Sequence, residues 1–318
     1  MKCRVCFNEK ENKHYRLREM MFGSREEFDY LECSNCKCLQ IIDIPASMSK
    51  YYRDEYHSFA PLPPQHRLRR FLSRARNSFA LTNVGVLGKI LSRYHPAHIP
   101  LKSLSPLQLD HGARILDVGC GAGMLLNALG DLGFTSLVGI DPFLTADVEY
   151  ENGVQLFKKT IDQIDGEFDV IMFHHSFEHL ADPRAALKAV NRLLAPGGDC
   201  ILRIPTVSSY AWKHYGVNWV QLDAPRHFYI HSLESVKVLA DHAGLELSEV
   251  VYDSTAFQFW ASEQYALDIP LYDSRSYAVA PQASYFTKEQ IAVFERRARE
   301  LNQAKLGDQA AFYLRKND

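Results

Sequence analysis

Histidine and carboxylate side chains are concentrated in one short stretch of the sequence, residues 173–183, which reads FHHSFEHLADP. Three histidines and a glutamate fall within six residues, and these are His174, His175, Glu178 and His179. Imidazole and carboxylate groups can bind a metal ion. A histidine can also move protons near neutral pH, because its unperturbed pKa is about 6.5. The stretch therefore predicts either a metal site or an acid–base site.

The residues that follow decide where these histidines lie. Asp182 and Pro183 are typical of a helix N-cap and a first helical residue, and they predict a helix over 183–194. The histidines then belong to the loop before this helix, although His175, Glu178 and His179 would share one face if the loop were helical. We interpret Glu178 and His179 as structural, and we expect a histidine rather than a metal ion to supply the chemistry.

Cysteines form a second pattern, at the amino-terminal end. Cys3 and Cys6 make one CxxC motif, and Cys33 and Cys36 make another after 26 intervening residues. Two such motifs supply four thiolates, the closed ligand set of a structural zinc site. The alternatives are redox-active pairs or free thiols. The residues between the motifs alternate loosely between apolar and polar, which predicts a small hairpin.

Glycines mark a third site. The apolar run Arg114–Val118 is typical of a buried parallel strand, and it leads directly into GCGAG at 119–123. A helix is predicted over 124–132 and a further strand over 136–140, which ends at Asp141. Glycines allow the backbone to approach a ligand closely, and an acid at this distance is typical of a ribose ligand. Dinucleotides and S-adenosylmethionine are both bound in this way.

The sequence DVGCGAG at 117–123 resembles motif I of the class I S-adenosylmethionine-dependent methyltransferases. Four further segments resemble that family in the same order, namely EFDVI at 167–171, EHLADP at 178–183, LLAPGG at 193–198 and DAPRH at 223–227. The resemblance covers roughly residues 106–260. The resemblance implies an α/β fold that is built on a doubly wound, Rossmann-like sheet of seven strands. The paired CxxC motifs with the segment at 51–59 also resemble the front end of some bacterial sugar methyltransferases.

The resemblance implies a role for each residue of the cofactor site. Asp117 and the backbone of Gly119, Gly121 and Gly123 would hold the methionine end of the cofactor. Asp141 would bind the ribose hydroxyls. The residues expected to surround the adenine are Pro142 and Phe143 on one side and Ile161 and Asp162, with Thr160, on the other. His174 would lie near the sulfonium.

Methyl transfer to a hydroxyl group requires a base, because the acceptor must lose its proton. His174 and His175 are candidates, since they follow the fourth strand of the resemblance. His227 is a third candidate, because it follows a predicted lid. The alternative for each is a hydrogen bond to a loop carbonyl.

Five segments describe the expected organisation. They are a zinc-binding module at 1–60, linker helices at 61–105, a methyltransferase domain at 106–318, an aromatic lid at 205–232 and an insertion at 256–286. The lid would stack on a ring or sugar, with Lys213 and Arg226 available for an anion. The helix predicted at 65–79 is basic and amphipathic. We expect it to pack on the main domain, and contact with a membrane surface or an anionic ligand is the alternative.

Composition limits the class of protein. The net charge of -2 argues against a broad nucleic-acid surface. No signal sequence or membrane-spanning run is predicted, so we expect a cytoplasmic protein with reduced thiols.

We expect methyl transfer from S-adenosylmethionine to a small polar acceptor such as a sugar nucleotide or glycan precursor. A quinone, phenol or natural-product acceptor is the first alternative, and a non-catalytic cofactor-binding scaffold is the second. The oligomeric state is not predicted.

Overall fold

The structure is a computed structural model that describes residues 1–52, 66–95, 97 and 99–317. The strands are β1 Lys13–Arg18, β2 Glu27–Glu32, β3 Leu39–Ile41, β4 Arg114–Val118, β5 Ser136–Ile140, β6 Val148–Glu149, β7 Gln155–Phe157, β8 Phe168–His174, β9 Leu194–Pro205, β10 Tyr229–Ile230, β11 Leu245–Tyr252 and β12 Gln309–Lys316. The helices are α1 Arg67–Thr82, α2 Val86–Tyr94, α3 Ile99–Lys102, α4 Met124–Leu132, α5 Pro183–Leu193, α6 Tyr210–Tyr215, α7 Leu233–Ala243, α8 Phe257–Ala266 and α9 Lys288–Gln303.

The larger sheet has the strand order β11-β12-β9-β8-β4-β5-β7-β6. Strand β4 lies between β5 and β8 and pairs in parallel with both, so the chain winds outward from β4 in two directions. This is the doubly wound α/β architecture that the sequence predicts. The two-residue strand β6 is added to the seven strands expected.

The chain divides into two compact units. The glycine-loop unit comprises residues 54–176, 188–203 and 314–318. The cysteine unit comprises residues 1–53, 177–187 and 204–313. The predicted domain limits, at 60/61 and 105/106, remain predictions, and the first of these lies outside the described residues.

The glycine-loop unit is built on strands with buried apolar side chains. Ile115 and Leu116 of β4 are fully buried, as are Ile171 and Met172 of β8. Such continuous burial is typical of a parallel strand that is covered on both faces. Helix α4 follows the glycine loop and ends at Gly133, which adopts the left-handed conformation of a C-cap.

The cysteine unit contains the smaller sheet, of order β1-β2-β3-β10. Strands β1 and β2 pair antiparallel with Tyr15 opposite Tyr30, which confirms the hairpin predicted between the two CxxC motifs. Strand β10, from the predicted lid, pairs with β3 by placing Tyr229 opposite Gln40. The amino-terminal strands therefore form one sheet with a segment almost two hundred residues further along the chain.

The structure adds detail to two predictions. The segment at 193–198, which the resemblance gives as a turn before a strand, is part of β9 from Leu194 on, but its pairing with β8 is irregular, since Phe168 lies opposite Leu194 and Val170 lies opposite Asp199. The helix predicted at 65–79 is present as α1 and contacts α4 of the same unit, whereas its apolar residues Leu68 and Phe71 are 63% and 58% exposed. The proline-rich sequence PLPP at 61–64 lies outside the described residues. Among the described helices, none has the length and apolar character that crossing a bilayer requires.

Candidate functional site

The glycine loop connects β4 to α4 through a backbone that only glycine adopts easily. Gly119, Gly121 and Gly123 have φ values of +78°, +52° and +71°. Packing adds a second requirement, since a Cβ on Gly119 would lie 2.4 Å from the Cβ of Ser176. The glycines therefore serve the fold as well as leaving space for a ligand, and they do not by themselves identify one.

Asp141 lies at the carboxyl end of β5 and is 5% exposed. Its two carboxylate oxygens accept hydrogen bonds from the backbone N–H groups of Gly121 (3.1 Å) and Phe143 (2.9 Å). Burial raises the pKa of this carboxyl group, and the two backbone hydrogen bonds act in the opposite direction. Each oxygen retains a lone pair, so the carboxylate can accept hydrogen bonds from two ribose hydroxyls.

Asp117 is the fourth residue of β4 and is 4% exposed. Burial, followed by the charge of Asp141, raises its pKa to about 7. An adjacent cation would favour the ionised form. The ammonium and sulfonium groups of S-adenosylmethionine are cations of the required sign, so this carboxyl pair fits the cofactor that the sequence predicts.

The residues expected around the adenine follow two neighbouring strands. Strands β5 and β7 pair in parallel with Ile140 opposite Phe157, so the segments after them leave the same edge of the sheet. After β5, Phe143 is 69% exposed and its ring is accessible. After β7, Ile161 is buried in a short helical turn whereas Asp162 is exposed. Pro142 is also exposed.

His174 and His175 lie where β8 ends, beside the glycine loop. Strand β8 pairs with β4 by placing Met172 opposite Asp117, so His174 lies two residues beyond that level. Its neighbour His175 has a φ of 54°, a left-handed conformation that is uncommon for residues other than glycine. The His175 N–H donates to the carbonyl of Arg203 at 3.0 Å. A non-glycine residue held in this conformation at the carboxyl end of a strand is a candidate for function.

The four predicted zinc ligands lie together in the cysteine unit. The Sγ atoms of Cys3 and Cys36 are 3.7 Å apart, those of Cys6 and Cys33 are 3.4 Å apart, and all four lie within 4.8 Å of one another. A tetrahedral zinc with bonds of about 2.3 Å places its sulfur ligands about 3.8 Å apart. The side-chain amide of Gln40 donates to Cys3 Sγ at 3.1 Å, a contact that favours a thiolate. These residues fit a structural zinc ion.

A second cluster of metal-binding residues, Glu178, His179 and His227, lies in the same unit. Their ligand atoms are within 4.8 Å of one another, and Glu178 is fully buried. Burial lowers the pKa of His227 to about 4, so its ring is neutral at pH 7. One carboxylate and two imidazoles are suitable ligands for a divalent ion. The sequence analysis did not identify His227 as a third member of this group.

The surroundings of His227 bear on its predicted role as a base. Its Nδ1 lies 2.8 Å from the carbonyl of Gln221, and its Nε2 lies 3.8 Å from Asp223 and 3.9 Å from Glu178. A buried histidine with a pKa of about 4 is a weak base. These features favour a structural or metal-binding role for His227 over proton transfer, and its catalytic role stays a prediction.

Arg226 is not available for an anionic ligand, contrary to the sequence prediction. Its side chain is fully buried and donates to Asp223 at 2.6 Å and to Glu19 at 3.0 Å. Trp219 of the predicted lid is also fully buried, and its Nε1 donates to Asp308 at 3.0 Å. Much of the lid therefore belongs to the core of the cysteine unit, because its dense aromatic residues supply apolar area for packing.

Two residues beside the glycine loop were missed by the sequence analysis. Ser176 donates to the carbonyl of Val118, and Tyr150 donates to the carbonyl of Ala122 at 2.9 Å. Both therefore hold the loop from outside it. No spacing or composition signal in the sequence distinguishes them, although Ser176 directly follows the histidine pair.

Comparisons with known proteins identify a family. Residues 57–250 match the family described as "Methyltransferase domain". The chain is 30% identical over 175 residues to a protein of Xanthomonas oryzae named "Ubiquinone biosynthesis O-methyltransferase", which covers 48% of this chain and 73% of that protein. A protein of the same name from Xylella fastidiosa is 26% identical over 218 residues, covering 61% and 88% of the two chains.

Solved structures show a lower similarity. An S-adenosylmethionine-dependent methyltransferase of Mesorhizobium loti covers 68% of this chain and 97% of its own, at 14% identity and a TM-score of 0.42. The cyclopropane synthase MmaA2 of Mycobacterium tuberculosis covers 66% and 80%, at 18% identity and a TM-score of 0.41. These values are too low to bear on the reaction. The family match, the sheet order and the order of motifs lead to one conclusion: the chain belongs to the methyltransferase-domain family of class I S-adenosylmethionine-dependent methyltransferases.

Proposed function

We propose that the protein transfers the methyl group of S-adenosylmethionine to a hydroxyl group on a phenolic or quinone-type ring. The similarity to the Xanthomonas oryzae protein, named for O-methylation in ubiquinone biosynthesis, carries this proposal. It favours the acceptor class that the sequence analysis ranked second. A sugar nucleotide remains the rival acceptor.

The residues of the glycine-loop unit can perform the binding steps. Asp141 would hold the ribose, and Asp117 would lie near the cationic methionine end. Such fixed contacts orient the methyl group for in-line attack by the acceptor oxygen. When bound, S-adenosylmethionine would supply the methyl group, and its sulfur would keep the bonding electron pair and leave as a neutral thioether.

His174 or His175 would accept the proton of the acceptor hydroxyl. Support comes from their place at the end of β8, next to the glycine loop, and from the left-handed conformation of His175. A phenol has a pKa of about 10, the value of the tyrosine side chain, and so it is mostly protonated at neutral pH. A base within hydrogen-bond reach typically contributes about 10²–10⁴-fold to such a reaction.

The zinc site and the metal cluster have different proposed roles. Four cysteines leave no open coordination position, so zinc there would stabilise the fold and not take part in transfer. A divalent ion at Glu178, His179 and His227 would be a Lewis acid in the cysteine unit. We retain catalysis by such an ion as the alternative to catalysis by a histidine base.

Transfer of an isotopically labelled methyl group tests the acceptor class. The protein would be incubated with labelled S-adenosylmethionine and, separately, with a catechol-type phenol, a mixture of sugar nucleotides and no acceptor. We expect label on the phenol oxygen, and less of it with the Asp141→Ala variant at limiting cofactor. Label on a sugar nucleotide would contradict the proposed acceptor. Cofactor binding without transfer to any acceptor pool would favour the non-catalytic scaffold.

A further inference from the structure

One segment of the glycine-loop unit, residues 66–95, differs in charge from the rest of the chain. It contains α1, α2 and the turn between them. Its seven basic residues are Arg67, Arg69, Arg70, Arg74, Arg76, Lys89 and Arg93, and it contains no aspartate or glutamate. The whole chain nevertheless has a net charge of -2. Positive charge is therefore concentrated on this helical pair.

The same segment exposes large apolar side chains. Their exposed fractions are Leu68 63%, Phe71 58%, Val84 73%, Val86 77%, Leu87 43%, Ile90 52% and Tyr94 76%. Single exposed apolar residues are common on protein surfaces. Seven within 30 residues, on α1, at the turn and along α2, require a separate explanation.

The exposed apolar residues of α2 lie on the side of the helix away from α1. Gly88 forms the contact between the two helices, because a Cβ at that position would lie 2.2 Å from the carbonyl oxygen of Ala75 and 2.5 Å from Phe79. Ile90 is two residues further on, about 200° around the helix axis at about 100° per residue. Val86 and Tyr94 are four residues to either side of Ile90, and so they share its face. Helix α1 cannot cover this face.

The helical pair is anchored to the rest of its unit. Arg70 of α1 donates to Asp131 of α4 with both its Nε and its terminal nitrogen. Arg93 and Lys89 are exposed on α2 next to the apolar face. An apolar stripe bordered by arginine and lysine is the pattern of a helix that lies in the interface of a membrane.

Two other occupants agree less well with these residues. A second copy of this chain would bring two basic helical pairs together in a symmetric contact, and like charges oppose such a contact. A nucleic acid would account for the basic residues, but it offers no apolar environment for Val86, Ile90 and Leu87. An anionic bilayer satisfies both features, because its headgroups attract the basic side chains and its acyl boundary receives the apolar ones.

We propose that residues 66–95 form a docking surface for an anionic lipid bilayer, with the exposed face of α2 and the turn at Val84 inserted at the headgroup boundary. This inference goes beyond the proposed function and does not depend on the acceptor. It extends to α2 the membrane contact that the sequence analysis gave as the alternative for the helix at 65–79.

Vesicle sedimentation with the full chain tests the docking surface. We expect binding to vesicles of phosphatidylcholine mixed with phosphatidylglycerol, weaker binding to phosphatidylcholine alone, and loss of binding as salt is raised. Val86→Ser combined with Ile90→Ser should weaken partitioning by about tenfold or more. The matched control is Val279→Ser with Val293→Ser, which removes two apolar residues exposed elsewhere and should leave partitioning unchanged.

Charge reversal provides a second, independent pair of variants. Lys89→Glu with Arg93→Glu should weaken vesicle binding by about tenfold or more, because each basic residue near an anionic surface contributes separately. Arg296→Glu with Arg299→Glu changes the net charge equally at exposed positions of α9 and should have a much smaller effect. Unchanged cofactor affinity in all variants would show that each is folded, since none of these residues belongs to the cofactor site.

Three outcomes would overturn the inference. The first is an intact protein that binds neither kind of vesicle. The second is vesicle binding that the α2 variants and their controls reduce equally. The third is the assignment of the surface to another occupant. Self-association is one such result, if light scattering detects it and Val86→Ser with Ile90→Ser abolishes it. Nucleic-acid binding is another, if a gel shift detects it and Lys89→Glu with Arg93→Glu abolishes it. Either result counts against the inference when the protein does not bind vesicles.

Discussion

At the scale of single residues, Asp141 makes the most direct prediction about the cofactor. Its buried carboxylate would accept hydrogen bonds from the ribose, and hydrogen bonds to a charged group are worth about 1.5–3 kcal/mol. Asp141→Ala should therefore weaken S-adenosylmethionine binding by about ten- to a hundredfold in calorimetry. Asp165→Ala is the control, because the Asp165 side chain is 99% exposed. Equal affinity in both variants would show that Asp141 is not the ribose ligand.

Asp117 predicts how stability depends on pH. Burial and the charge of Asp141 raise the pKa of Asp117 from 3.8 to about 7, so the folded protein holds a proton that the unfolded chain releases between these values. Protonated Asp117 contributes fully to the free energy of unfolding below about pH 4. This contribution is lost as the pH rises to about 7, and the loss is at most about 4 kcal/mol. Urea unfolding at several pH values should show a smaller decline in Asp117→Asn. Parallel pH profiles for the two proteins would contradict this assignment.

The histidine pair predicts the source of general-base catalysis. Replacing His174 or His175 by glutamine retains hydrogen bonding but removes basicity. At least one of these variants should lose about 10²–10⁴-fold in turnover, with little change in cofactor affinity. His242→Gln, at an exposed position on α7, should retain activity. We also expect activity to resist EDTA.

Metal dependence would give the opposite result. If a divalent ion at Glu178, His179 and His227 performs the chemistry, EDTA should abolish turnover and added metal should restore it. Full activity in both glutamine variants, alone and combined, would show that neither His174 nor His175 is the general base.

At the scale of elements, the two CxxC loops predict zinc content. Cys36 is one of the four clustered cysteines, whereas Cys38 lies two residues further on, with its Sγ 3.8 Å from the Nδ1 of His231. Cys36→Ala should lose the zinc found by metal analysis, and Cys38→Ala should retain it although both side chains are buried. Zinc absent from protein made under reducing conditions would contradict the site, as would equal zinc in both variants.

Local elements could be predicted from the sequence because their signals are local. Strands β4 and β5 have the predicted limits, and helix α5 has them to within one residue, because apolar runs, glycines and the Asp182–Pro183 pair mark their ends. Register and pairing carry no such signal. The pairing of β3 with β10 places Gln40 opposite Tyr229, and neither residue shows in its own neighbourhood which partner it has.

The candidate site divides in the same way. Gly119, Asp141 and the four cysteines belong to motifs with fixed spacing, and so they could be found in the sequence. Arg226 was misassigned to ligand binding because its charge suggested exposure. Its carboxylate partner Glu19 is separated from it by 207 positions and cannot be recognised without the fold.

At the scale of the whole molecule, the group of Glu19, Asp223 and Arg226 joins distant parts of the cysteine unit. Glu19 lies between the two CxxC motifs, and its carboxylate also accepts from the backbone N–H groups of Phe22 and Ser24, both at 2.9 Å. Arg226 donates in addition to the carbonyl of Tyr51 at 3.0 Å. Because Arg226 and Glu19 are at most 1% exposed, removing one partner would leave a buried charge without its counter-ion.

Arg226→Met should therefore lower the free energy of unfolding by about 3–5 kcal/mol in urea, because two buried carboxylates lose their cation. Adding Glu19→Gln should recover part of this loss, since one of those charges is then removed. The control is Arg275→Met. Arg275 is 62% exposed and pairs with Asp273, which is 24% exposed, so the loss of this surface pair should cost less than about 1 kcal/mol. Arg226→Met should also make zinc easier to remove by chelation, because the same ion pair holds the segment between the CxxC loops. If chelation is unchanged while global stability falls, residues 1–60 behave as an independent module and the proposed coupling within the cysteine unit is wrong.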